Sequence, residues 1–330
     1  MTVWFTALPR GKLLWTVCQL EYSHALTSTS LTLSNSRQLM TMLSMHSTAA
    51  CRRLLGSAHG YGLCRCYRRS LKLAEVAAKD FRKQFAKFAI HLGDIVDCQQ
   101  DMAAAEHGSA TLAYRYALDQ AIKAFDHFTT GTTYHVVGNH CISAFGRKVV
   151  QERLAMKGPG DRCYYSFVPS PRLRMIVLDT FDVALIGNES TSPEYREAVK
   201  LLERSTQHEV CTPGTGISGI AHHLRHACHD VPPTADDHLQ EPRSHLDPTD
   251  LRRRWKAWNG AVGKAQLEWL RRQLAEAQQQ RQKVIICSHC PLHPRSAGDR
   301  AGSLLWNYED VLAMIAEADV VIATLSGVPH

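Results

Sequence analysis

The sequence predicts an α/β fold, and three observations carry that prediction. Short apolar runs of strand length recur from residue 85 to the end of the chain. Stretches with helical spacing of apolar residues fall between those runs. Four of the runs stop at a turn that delivers an oxygen or an imidazole, as expected at the carboxyl ends of strands in an open α/β sheet.

The elements follow in order. Residues 67–87 read as a helix, with Leu71, Leu73, Val76, Ala77 and Phe81 on or near one face. Phe85 to Leu92 is a short apolar run that breaks at Gly93. Residues 111–128 are again helical, and Tyr134-His135-Val136-Val137 is a strand ending at Gly138. Arg174 to Leu178 is a strand ending at Asp179. Residues 264–280 are a helix with Leu267, Leu270 and Leu274 apolar, followed by a strand at Lys283–Cys287. Residues 307–317 are helical, and Asp319–Leu325 is the last strand.

Two regions stand apart. Residues 1–64 form a Ser/Thr-rich leader: the first 50 residues hold fifteen Ser or Thr and one acidic residue, Glu21, with basic residues at Arg10, Lys12 and Arg37. Such a composition reads as a poorly ordered leader or as a transit peptide. A segment at about 205–250 carries seven histidines, His208, His222, His223, His226, His229, His238 and His245, among five prolines. His222 and His226 have the i, i+4 spacing of a shared metal, though no Glu completes a metalloprotease motif, and a polar surface insertion is the plainer alternative.

Composition narrows the function classes. Hydrophobic residues make up 45% and charged residues 21%, an ordinary globular balance. The longest apolar runs fall well short of the roughly 18 residues of a membrane span. A net charge of +7 is mild for 330 residues and is not gathered into a stripe, so the expected partner is a small anionic molecule rather than nucleic acid or membrane. Eleven cysteines at irregular spacing read as free thiols in a reducing compartment, which predicts a cytoplasmic location, or an organelle if residues 1–60 direct transit. Cys287 and Cys290 have a C-x-x-C spacing without a second pair at zinc-ribbon distance. Oligomeric state is not written in the sequence.

The chemistry is concentrated in an ordered set of strand ends. Ile90-His91-Leu92 runs into Gly93-Asp94-Ile95-Val96-Asp97, Val136-Val137 into Gly138-Asn139-His140, Ile285-Ile286 into Cys287-Ser288-His289, and Thr324-Leu325 into Ser326-Gly327-Val328-Pro329-His330. Two divalent ions about 3.5–4 Å apart need a carboxylate between them, and Asp94 suits that bridge. Asn139 and His289 suit neutral positions, and mixed N/O ligation is compatible with Mn, Fe or Zn and argues against a thiolate site. His140, beside Asn139, is better placed to donate a proton or to stabilise charge on a phosphate.

This set resembles the calcineurin-like metallophosphoesterase superfamily. Within it the chain is most similar to the manganese-dependent ADP-ribose/CDP-alcohol diphosphatases, on Tyr67-Arg68-Arg69-Ser70-Leu71, Leu92-Gly93-Asp94-Ile95-Val96-Asp97, Gly138-Asn139-His140, Tyr164-Tyr165-Ser166-Phe167, Val177-Leu178-Asp179, Ser192-Pro193-Glu194-Tyr195, Gln266-Leu267-Glu268-Trp269-Leu270, Ser288-His289-Cys290-Pro291 and Trp306-Asn307-Tyr308. The resemblance covers about residues 65–327. It implies a four-layer α/β sandwich flanked by helices, built by a domain at 65–330. It also implies metal-activated water cleaving the diphosphate of ADP-ribose or CDP-alcohols. Two divalent ions would serve, Mn first, with Zn, Fe or Mg as alternatives. The metal ligands would be Asp94, Asn139, His289 and His330, with Asp97 behind them and His140 as the catalytic residue. Arg68 and Arg69 are candidates for diphosphate contact or for a solvated helix face.

The chain departs from that family at two places. The family's opening strand ends in Asp-x-His or Asp-x-Gln, and residues 1–64 show no such strand; Val17-Cys18-Gln19-Leu20 has the apolar character but no Asp. The family closes its site with Gly-His-x-His, and this chain reads Gly327-Val328-Pro329-His330. The expectation is an incomplete sandwich without its first and closing strands. It would hold two ions, one, or none. The alternative function is then an impaired relative or splice form that keeps partial metal or nucleotide binding.

Overall fold

The computed structural model describes residues 2–6, 18–19, 30–32, 39–43, 67–96, 109–160, 162–206, 250–297 and 301–327, with side chains before residue 70 and at 109–113 outside the description. The predicted strands form as β5 (Phe88–His91), β6 (Thr132–His135), β8 (Leu173–Val177), β11 (Lys283–Ser288) and β12 (Val321–Ser326). The predicted helices form as α1 (Tyr67–Lys83), α2 (Ser109–Phe125), α6 (Lys264–Gln279) and α8 (Tyr308–Glu317). Further elements are α3 (Asn139–Phe145), α4 (Arg147–Arg153), β7 (Tyr165–Ser170), β9 (Val183–Ala184), α5 (Pro193–Thr206), β10 (Gly260–Ala261) and α7 (Pro294–Ala297).

Side-chain alternation along the strands sets the layers. On β5, Ala89 packs with Ala77, Ala78 and Phe81 of α1, and His91 lies against Phe125 of α2. Phe88 points the other way, edge-on to Phe167 of β7. On β7, Phe167 faces inward while Ser166 bonds Gln273 of α6 on the outside. Arg174 of β8 likewise reaches Gln273 and Glu276 of α6. The order is therefore helices, sheet, sheet, helices, the four-layer sandwich that the resemblance implies. One core cluster runs through it, from Ile90 and Leu118 to Ile286, Leu270 and Ile315. Each such side chain contributes about 1.5–3 kcal/mol when buried.

With β1 at Thr2–Thr6, β2 at Cys18–Gln19, β3 at Ser30–Thr32 and β4 at Leu39–Leu43, one sheet has the order β3-β4-β5-β6 and the other β2-β1-β12-β11-β8-β7. Here the structure differs from the sequence expectation of no opening strand in residues 1–64. Four strands, β1 to β4, come from that region. β4 pairs parallel with β5, and β1 pairs antiparallel with β12. These segments are short and rich in Thr and Met, so their strand character comes from the neighbours they pair with rather than from a period of two. The His-rich stretch at 207–249 lies outside the described residues.

The outer edges of the two sheets are also tied. Tyr134 of β6 stacks on Phe167 of β7 at 3.5 Å between centroids. The Tyr165 hydroxyl accepts from the His135 backbone N–H at 3.0 Å and donates to its carbonyl at 2.7 Å. A side chain thus completes backbone bonding that an edge strand would leave open. Among the described residues no helix is long and apolar enough to cross a membrane.

Candidate metal centre

The two sheets meet where β5, β6 and β11 end. The chain leaves β5 through Leu92, Gly93 at φ +97° and Asp94 at φ +54°. A side chain at Gly93 would place its Cβ 2.4 Å from His289 Nδ1. Asp94 has a side chain and yet occupies the left-handed region, a conformation that costs about 1–3 kcal/mol and concentrates at functional sites. The turn is held from the start of α3: Ile95 N–H donates to Cys141 Sγ at 3.3 Å, and His140 N–H donates to Asp94 Oδ1 at 3.0 Å. Gly138 allows this approach, since a Cβ there would lie 2.1 Å from Asp94 Oδ1.

His289 arrives from the other sheet and is fully buried. Its Nδ1 lies 2.8 Å from the carbonyl of Leu92, which can only accept, so Nδ1 carries a proton. In the neutral ring Nε2 then presents a lone pair. That nitrogen lies 3.1 Å from Asn139 Oδ1 and 3.2 Å from Asp94 Oδ2. A carboxylate oxygen and an amide oxygen thus both lie within 3.2 Å of the imidazole Nε2, with the tautomer fixed by a carbonyl behind the ring. That is the donor set and the support that a divalent metal takes. Among the described residues no three His, Cys, Asp or Glu side chains gather at one point, so the amide of Asn139 is what completes the trio.

Of the residues predicted from sequence, the structure brings together Asp94, Asn139 and His289, with His140 half-buried beside them through its backbone bond to Asp94. Asp97, His330 and the His222/His226 pair lie outside the described residues, as do the side chains of Arg68 and Arg69. Cys287 and Cys290 are buried free thiols, and burial raises both pKa values, that of Cys290 up to about 12. Cys141 is likewise pushed up to about 12, by burial and then by the Asp94 carboxylate, which keeps it a neutral thiol at the turn.

Sequence reasoning missed the polar frame around the turn after β8. Asp179 is fully buried and ion-paired to Arg147, whose Nη2 also donates to the Phe181 carbonyl at 2.6 Å. Gln266 bonds both the N–H and the carbonyl of Asp179. Asp182 takes Arg162 at 2.7 Å, and its pKa is raised by burial and by Asp179. The strand ending at Asp179 was a visible signal; Arg147, paired across 32 residues, had none.

No family model matches the chain. Among curated proteins, the manganese-dependent ADP-ribose/CDP-alcohol diphosphatase of Oryza sativa subsp. japonica is 32% identical over 272 residues, covering 82% of this chain and 71% of that protein. The protein of the same name from Arabidopsis thaliana is 30% identical over 272 residues, covering 82% and 73%. A dimetal phosphatase from Danio rerio, known as a crystal structure, superposes with a TM-score of 0.65 over 86% of this chain and 85% of its own at 23% identity, a likeness of fold. The span and identity of the plant matches place this chain in the manganese-dependent ADP-ribose/CDP-alcohol diphosphatase family.

Proposed function

We propose that this chain is a divalent-metal phosphohydrolase that adds water across the diphosphate of ADP-ribose or CDP-alcohols, with Mn as the metal. The observation that carries the reading is the convergence of Asp94, Asn139 and His289 Nε2. Those three would hold the ion. When bound, a divalent ion draws electron density from a phosphoryl oxygen and makes water a better nucleophile at neutral pH. The chain's own groups do the rest. The Leu92 carbonyl keeps His289 in the tautomer that ligates. The His140 backbone fixes the rotation of the Asp94 carboxylate, and the His140 imidazole is assigned to the phosphate as proton donor or charge stabiliser. The expected partner is a small nucleotide, and the buried free thiols support a cytoplasmic location.

A second reading has its own observation. Strands β1–β4 contain no Asp or Glu, and Val328 stands where the family has a histidine. A chain with these three donors would hold one ion and turn over weakly or only bind.

The test is hydrolysis of ADP-ribose and of a CDP-alcohol by the purified chain in Mn, with metal stoichiometry measured on the same sample. The expected result is release of AMP or CMP that stops with chelator, and more than ~100-fold loss in Asp94→Ala and His289→Ala. One ion bound with weak or absent turnover selects the second reading. No bound metal and no release overturns both.

A further inference from the structure

The halves of the metal centre hang from different sheets. Asp94 follows β5 and Asn139 follows β6, while His289 follows β11. The distances of 3.1 and 3.2 Å from His289 Nε2 to Asn139 and Asp94 therefore depend on how the two sheets are held at this end, and errors well below 1 Å matter for a metal or for catalysis. The bond from His289 to Leu92 O orients the ring. The backbone beneath the ring rests on the turn after β8: Cys290 N–H donates to Thr180 Oγ1 at 3.3 Å, and the Phe181 ring lies 5.8 Å from the His289 ring.

That turn is gripped from the opposite half. Arg147 opens α4, which follows α3 directly, and α3 begins at Asn139. Its guanidinium pairs with Asp179, the residue before Thr180, and donates to the carbonyl of Phe181, the residue after it. Asp179 Oδ1 in turn accepts from Phe181 N–H at 2.9 Å, closing the turn on itself. Burial alone would lower the pKa of Arg147; Asp179, with Cys163 and Asp182 nearby, raises it overall. The Arg147 side chain is only 10% exposed and its donors are engaged by the turn, which suits a strut better than a substrate contact.

We propose that Arg147 is a positioning residue that sets His289 against Asp94 and Asn139 by clamping the 179–181 turn. The proposal rests on the metal-site reading above for its consequence, and on the metal-free geometry for its substance. A planar fork is needed, because one guanidinium reaches a carboxylate and a carbonyl at once and an ammonium does not match that pair.

The test reads His289 directly. In metal-free protein with 15N-labelled histidine, the Nδ1-bound proton of His289 is identified by its loss in His289→Ala. Mn affinity is then titrated by EPR. In Arg147→Gln the His289 signal should broaden or disappear and Mn affinity should fall ~10–100-fold, with a smaller loss in Arg147→Lys. Tyr165→Phe, which cuts the tie at the far edge of the sheets, is the control for general loosening: it should lower Tm yet keep the His289 signal and hold Mn affinity within about twofold. If Arg147→Gln does not fold, Arg147→Lys carries the comparison. Parent-like His289 signals in the Arg147 variants overturn the proposal. So does a loss in Tyr165→Phe as large as theirs. A parent that binds no Mn while its His289 signal still depends on Arg147 defeats the metal reading and leaves the clamp standing.

Discussion

The two sheets are joined at two places by different means. At the ends of β5, β6 and β11 the join is polar and tight: glycines at 93 and 138, a left-handed Asp94, and imidazole, amide and carboxylate in contact. At the edge formed by β6 and β7 it is aromatic: Tyr134 on Phe167, Phe88 edge-on to Phe167, and one hydroxyl serving both backbone groups of His135. The first join accepts strain and close contact of electron-rich atoms, which a site for a cation requires. The second has no such demand and supplies cohesion. Metal binding and cohesion are therefore expected to depend on different parts of the same sheet–sheet interface, and four measurements probe how far.

The largest effect is expected at the first join. Gly138→Ala puts a methyl group 2.1 Å from Asp94 Oδ1 and 2.4 Å from Asp94 N. The turn cannot retreat, because Gly93 and Asp94 already hold left-handed conformations and Gly93 abuts His289. Mn affinity should fall more than ~100-fold, and overpacking should cost about 1–3 kcal/mol in urea unfolding. Preserved Mn binding would show that Asp94 is not held as the geometry requires.

The next effect is a pH dependence behind the second join, on the face of β6 that packs against α2. Burial, with His91 alongside, lowers the His135 pKa from 6.5 to about 3. Its ring lies 5.6 Å from both Phe125 and His91. Between pH 6.5 and 3 the unfolded chain binds this proton and the folded chain does not, so stability rises with pH there. The contribution is complete above 6.5 and declines as pH falls toward 3, at about 1.4 kcal/mol per pH unit. Unfolding midpoints measured from pH 7.5 to 4.5 should flatten in His135→Phe by about one proton. An unchanged slope would place that proton elsewhere.

Tyr165→Phe comes third. It removes one hydroxyl and leaves a buried N–H and a buried carbonyl of His135 without it, a cost of about 1–3 kcal/mol. The aromatic stack through Phe167 stays, so cohesion weakens without parting the sheets.

What the sequence made legible follows the same division. Asp94, Asn139 and His289 could be read because metal chemistry needs particular residue types at strand ends, and each follows an apolar run. The strands at 88–91, 132–135, 173–177, 283–288 and 321–326 could be read from those runs. β7 has no such run: YSFVPS alternates between a side facing α6 and a side facing β5, a pattern that fits a half-buried strand, but Ser166 and Pro169 break the apolar continuity that marks the others. The strands of residues 1–64 have no period of their own and depend on their partners. Arg147 was invisible for a related reason: on its own helix it reads as an ordinary surface cation, and only folding brings Asp179 and the Phe181 carbonyl to it.

The smallest effect sharpens the role given to α4. This helix carries Arg147 at its start and Arg153 at its end, and Arg153 pairs with Asp119 of α2. The two pairs differ in burial: Arg153 and Asp119 side chains are 49% and 44% exposed, against 10% and 0% for Arg147 and Asp179. A solvated pair of this kind is worth about 0–1 kcal/mol and is screened by salt. Arg153→Ala should therefore shift Tm slightly and leave the His289 signal and Mn affinity as in the parent. Both arginines anchor the same seven-residue helix, so the comparison isolates what the buried one does beyond docking it. If Arg153→Ala disturbs His289 as much as Arg147→Gln does, the seating of α4 as a body positions the ligand, and the clamp on the 179–181 turn adds nothing of its own.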